Sequence, residues 1–124
     1  MNVNYDDLGD VLEYGAISDN EAIEICDNIL KESLTETDDI VLESMFHAVY
    51  MGVSHRDIAS KIDIDLILEK QECFSEEVLD YIITIMARSG KQKYTETIKM
   101  IGQMYPELDI DDAFEELQYF SIDG

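Results

Sequence analysis

The chain has 124 residues, 46% hydrophobic and 30% charged, with one proline and six glycines. That is enough apolar material for one domain with a real core, which excludes a disordered chain, and too few turn residues for an all-β fold. A net charge of −21, from 29 acids against eight bases, excludes a surface made to hold nucleic-acid phosphates or anionic lipid.

Taken in order, the chain reads as a succession of helices. Leu8, Val11 and Leu12 are spaced i, i+3, i+4, which predicts a short amphipathic helix ending at Gly15. Ser18 or Asp19 caps a second helix over residues 20–34, with Ala22, Ile25, Cys26 and Ile29 on its apolar face. Thr37 or Asp38 starts a third, carrying Val41, Leu42, Met45, Phe46, Ala48 and Val49, with Gly52 as its stop. Ser54-His-Arg-Asp57 has the form of a capping box and predicts a short helix through Ile58, Ala59 and Ile62. Asp63-Ile-Asp65 interrupts the pattern, and a turn or two of helix is expected over residues 66–72.

The stretch Ser75–Gly90 is the strongest element. Val78, Leu79, Ile82, Ile83, Ile85 and Met86 form a broad apolar face, and Glu77, Tyr81, Thr84 and Arg88 a narrow opposite stripe. Ser75 as N-cap, Glu76 and Glu77 at the positive end of the dipole, Arg88 near the negative end and Gly90 as the C-terminal stop decide for a helix over a β-branched strand. So little polar surface predicts neighbours on several sides, and hence a central helix. Tyr94, Ile98, Ile101 and Tyr105 then define a helix that Pro106 stops, and Asp109 caps a last one with Ile110, Ala113, Phe114 and Leu117 inward. The expected fold is therefore all-α, a single domain over 1–124 of six to seven helices.

One internal echo bears on architecture. Residues 38–49 align with 75–86 at an offset of 37, pairing Val41 with Val78, Leu42 with Leu79, Met45 with Ile82 and Phe46 with Ile83. Such a period resembles a HEAT-like α-α superhelix over about residues 20–105, with a compact helical bundle as the other arrangement.

The charge is uneven. Residues 1–55 carry −12, residues 56–105 only −2, and residues 106–124 carry −7. The acidic N-terminal stretch lacks the apolar core of a signal peptide, no run is long enough to span a bilayer, and the expected location is the cytoplasm. Cys26 and Cys73 are read as small, reduced, buried side chains.

No pattern of catalytic or metal-binding residues emerges. His47 and His55 are read as surface histidines, and two histidines with two distant cysteines do not make a zinc spacing. Asp109-Ile-Asp-Asp112 is followed by neither the glycine nor the glutamate of a calcium loop, and Asp63-Ile-Asp65 runs into Leu-Ile-Leu. No phosphate-binding glycine loop, Gly-x-Ser-x-Gly or His-Glu-x-x-His is present. The expectation is a non-enzyme with no metal and no cofactor.

A compact, acidic, all-helical chain of this length is similar to immunity proteins of bacterial toxin systems, of the contact-dependent growth inhibition type. The resemblance implies an inhibitor that binds a cognate basic toxin domain, such as a nuclease, and the large like charge predicts a monomer when the chain is alone. The expected contacts are Asp38, Asp39 and Glu43, with Asp109, Asp111, Asp112, Glu115 and Glu116, and Tyr14 or Tyr119 as aromatic anchor. The alternatives are a helical-repeat adaptor that takes a peptide in its groove and an acidic nucleic-acid mimic.

Overall fold

The computed structural model describes residues 4–121, and of 71 and 72 the backbone alone. Six α-helices carry the chain: α1 (Tyr5–Tyr14), α2 (Asp19–Ser33), α3 (Asp39–His55), α4 (Glu76–Ser89), α5 (Thr95–Met104) and α6 (Ile110–Tyr119). Two 3-10 segments, Ile64–Cys73 and Gln92–Tyr94, join them, and no strand occurs among the described residues. The protein is all-α, and no helix among these residues is long and apolar enough to cross a membrane.

Short polar side chains set most helix starts. Asn4, Ser18, Asp38, Ser75 and Asp109 each accept a hydrogen bond from a backbone N–H of the first turn. At Ser18 the exchange is reciprocal, because Glu21 reaches back to the Ser18 N–H. Helix α5 has no such cap and grows directly out of the 3-10 turn before it.

Helix α4 is the centre of the domain. All six of its predicted apolar residues are buried, and it packs against α3, α6 and the Ile64–Cys73 segment. Gly90 ends it at φ +68°, where a Cβ would collide with the Phe120 carbonyl oxygen. Helix α3 is the second hub and packs on α1, α2 and α4. Phe46 of α3 meets Phe74 edge-on with ring centres 5.3 Å apart, locking the start of α4 against α3.

Three expectations are corrected. Gly52 does not stop α3, which runs on to His55. Gly52 is a close-packing position: a Cβ there would lie 3.2 Å from the Cys26 sulfur and 3.5 Å from Leu12. Ser54-His-Arg-Asp57 therefore opens no helix, since Ser54 and His55 form the last turn of α3 and residues 56–63 form turns. Third, Cys73 is exposed, whereas Cys26 is buried with its thiol pushed up to about 12, mainly by desolvation.

The two echoing units also diverge after their first helix. Gly90 leads into α5, but α3 leads into turns and the 3-10 segment. Ile64, Ile67 and Lys70 recur there every third residue, the period at which 3-10 side chains eclipse. The two isoleucines enter the core, and Lys70 reaches the end of α2. The echo thus relates two helices that lie side by side, α3 and α4.

Candidate functional site

Where the few cations go determines what is left on the surface. Arg56 lies just past the end of α3, and its side chain is largely buried. Its guanidinium donates to the carbonyls of Leu12, Ile17 and Gly15 at 2.8 to 2.9 Å, one in the last turn of α1 and two just beyond it. Lys70 donates to the carbonyls of Ser33, Leu34 and Glu36 at 2.8 to 3.0 Å, at the end of α2. Both cations sit at the negative ends of helices, where the dipole favours them. Lys93 pairs with Asp65 at 2.7 Å, and the Tyr94 hydroxyl donates to the other Asp65 oxygen at 2.6 Å. Those two hydrogen bonds hold the Asp65 carboxyl below the usual carboxylate range.

A face with the opposite balance lies across α3 and α4. On α3, Glu43, His47 and Tyr50 recur at i, i+4 and i+7, one stripe of a helix. On α4 the facing stripe is Asp80, Tyr81, Thr84 and Arg88. Packing of the two helices brings three rings into one group. Ring centres are 5.5 Å apart for Tyr50–Tyr81, 5.7 Å for His47–Tyr81 and 6.5 Å for His47–Tyr50. All three residues are half-buried, so part of each ring packs while part remains open to solvent.

This aromatic ridge separates two hollows. One, of 360 Å³, is lined by Asp6, Ile40, Glu43, Ser44, His47 and Tyr81, with Ile40 itself 77% exposed. The other, of 190 Å³, lies between α4 and α6, with Asp80, Asp109, Asp112 and Glu116 around it and Tyr50 as one wall. Its one cation is Arg88, whose Nε lies 3.7 Å from a Glu116 oxygen without a hydrogen bond. The field there is visible in the titrating groups. Asp80 is raised by desolvation and then by the charge of Asp109, and Asp112 by its hydrogen bond to Asp109 and that group's charge. The Tyr81 hydroxyl is raised by desolvation and by the charges of Glu43 and Asp80.

A third hollow, of 480 Å³, lies beyond the end of α3 among Ser54, His55, Arg56, Asp57, Arg88 and Phe120. Its most buried cation, Arg56, is already saturated by carbonyls, so it offers a ligand less than its charge suggests.

The sequence-derived contact residues divide between the face and elsewhere. Glu43, Asp109, Asp112 and Glu116 line the two hollows. Asp38 caps α3 by accepting from the N–H groups of Ile40 and Val41, Asp39 is exposed in its first turn, and Asp111 and Glu115 are exposed on α6 away from the hollows. Tyr14 and Tyr119 are 79% and 81% exposed and line neither hollow. The rings on the face are His47, Tyr50 and Tyr81; by sequence His47 reads as a surface histidine and Tyr81 as part of the polar stripe of its helix, and Tyr50 is not singled out. The stripe spacing 43, 47, 50 opposite the apolar positions of α3 was the signal that could have found two of them.

Among the described residues no group of three or more His, Cys, Asp or Glu side chains is placed to hold a metal ion. What the face can do is bind: large rings for contact area, and carboxylates on both sides for charge. No protein-family model matches the chain, nor does any curated protein or solved structure compared with it.

Proposed function

We propose that this chain is an immunity-type protein of the bacterial cytoplasm, a non-catalytic inhibitor that binds a basic toxin domain and keeps it inactive. The observation that supports it is the convergence of Glu43 and Asp6 on one side, and Asp80, Asp109, Asp112 and Glu116 on the other, about the partly exposed Tyr50–Tyr81 ridge. Carboxylates at fixed positions can occupy a surface that a nuclease uses for phosphates, and they steer its approach through a long-range field. Rings between them supply the desolvated contact that charge alone lacks.

The test is co-purification from the native cell at low salt and again at ~0.5 M salt, where the Debye length is only a few ångströms. The expected result is one basic partner, lost at high salt, together with growth arrest when this protein is depleted. Recovery of several unrelated partners unaffected by salt would favour the adaptor reading instead.

A further inference from the structure

Twice in this fold a cation lies over an aromatic ring and beside a carboxylate. Lys93 Nζ is 5.2 Å from the centre of the Tyr94 ring and 2.7 Å from Asp65. The Arg88 guanidinium is 5.5 Å from the centre of the Phe120 ring, with Nε 3.7 Å from Glu116. The arrangement is physically sensible, because the electron-rich ring face and the carboxylate both attract the same charge. A third set of the same parts exists on the α3–α4 face: the rings of His47, Tyr50 and Tyr81, flanked by Glu43 and Asp80. Among the described residues, no cation of this chain lies over those rings.

We infer that the Tyr50–Tyr81 ridge is the seat for an arginine side chain of the basic partner, a step that rests on the inhibitor reading above. An arginine suits the place better than a lysine for two reasons. Its guanidinium is flat and weakly hydrated, so it can lie against rings tilted 43° to one another while losing little solvation. Its N–H groups radiate in one plane, so a single side chain can donate toward carboxylates on both sides of the ridge, whereas an ammonium is a compact, strongly hydrated point charge. The partner accordingly presents a projecting arginine at the centre of its contact, with further basic groups over the two hollows.

The probe that tests this is methylguanidinium, titrated into the whole chain at constant ionic strength and followed by amide and aromatic NMR shifts. The expected result is a saturable response centred on His47, Tyr50 and Tyr81, with methylammonium binding about 2- to 5-fold more weakly at the same site. Tyr50→Leu with Tyr81→Leu should abolish the local response, whereas Tyr81→Phe, which keeps the ring, should retain it. Should the leucine pair fail to fold, Glu43→Gln with Asp80→Asn, both at exposed positions, removes the flanking charge alone and should weaken the response several-fold. Shifts spread evenly over the acidic surface, or equal responses to the two probes, would overturn the inference.

The two readings fail separately. A salt-sensitive basic partner found without a local guanidinium response removes the arginine seat and leaves the inhibitor. A local response in a cell where no basic partner exists removes the inhibitor and leaves the seat.

Discussion

The two sides of this molecule treat charge in opposite ways. Around the ends of α1 and α2, Arg56 and Lys70 each serve three backbone carbonyls, so these cations hold the chain together, and Arg56 also lies 3.5 Å from the Asp19 carboxylate. Across α3, α4 and α6, carboxylates crowd one another with a single, loosely engaged arginine among them. Asp65 and Asp80 condense the contrast: one is bonded to Lys93 and Tyr94 and lowered, the other crowded by its surroundings and Asp109 and raised. The difference teaches that the large net charge is not evenly unbalanced. Arg56 and Lys70 are committed to architecture, and the face across α3, α4 and α6 keeps carboxylates that its one arginine does not balance, beside half-buried rings. A surface that carries both unrelieved repulsion and contact area gains most from a partner that brings the missing cations.

The largest effect should come from breaking the architectural side. Arg56→Ala removes three hydrogen bonds from a largely buried guanidinium and leaves the carbonyls at and just beyond the end of α1 without that donor. A loss of about 3 kcal/mol or more is expected in urea unfolding. Lys70→Met keeps an apolar stem and removes three charge-assisted bonds together with the ammonium over the Phe74 ring, so about 2 kcal/mol should be lost. If both variants unfold at wild-type midpoints, the clamps are incidental and the contrast collapses.

On the binding side, Tyr50→Ala and Tyr81→Ala should each weaken the partner complex by about 2 kcal/mol, close to 30-fold in Kd. Tyr14→Ala and Tyr119→Ala, at rings away from both hollows, should change it by less than about 0.5 kcal/mol. Calorimetric titration of the four variants ranks the rings directly. The reverse ranking would move the contact to the ends of α1 and α6.

The smallest effects sharpen the comparison through pH. A carboxyl raised in the fold disfavours the folded state once it ionises, so the Asp80 contribution worsens as pH rises through its folded value and is relieved on acidification. Asp65 has the opposite sign. Its stabilisation is present above the unfolded carboxylate value of about 3.9 and is lost as pH falls through its lower folded value. Asp80→Asn should therefore raise stability at pH 7 by under about 1 kcal/mol after solvent screening, and Asp65→Asn should lower it. Urea midpoints of both variants at pH 7 and pH 4 check the signs, with the two differences from wild type shrinking toward the acidic end.

What the sequence determined by itself was the set of helices and the middle of the core. Local signals are sufficient there: an oxygen at every N-cap but that of α5, a glycine where φ must be positive, and apolar residues at the helical period. The six inward residues of α4, the caps at Ser75 and Asp109 and the stop at Gly90 all follow from neighbours within one or two turns. Gly52 and Ser54 misled for the same reason. A glycine followed by Ser-His-Arg-Asp is a credible stop and start locally, but the glycine serves contact with Cys26 and Leu12, distant in sequence.

Only the tertiary structure decided which charges and rings share a surface. Glu43 and Asp109 are 66 positions apart, and nothing in their spacing says that α3 and α6 both flank α4. Tyr50 and Tyr81 lie on separate helices, 31 positions apart, and they become a ridge because α3 and α4 pack with their polar stripes side by side. The destinations of Arg56 and Lys70, carbonyls 34 to 44 residues away, were equally invisible. Helix formation depends on near neighbours along the chain, whereas a binding face is a property of how separately formed helices are turned toward one another.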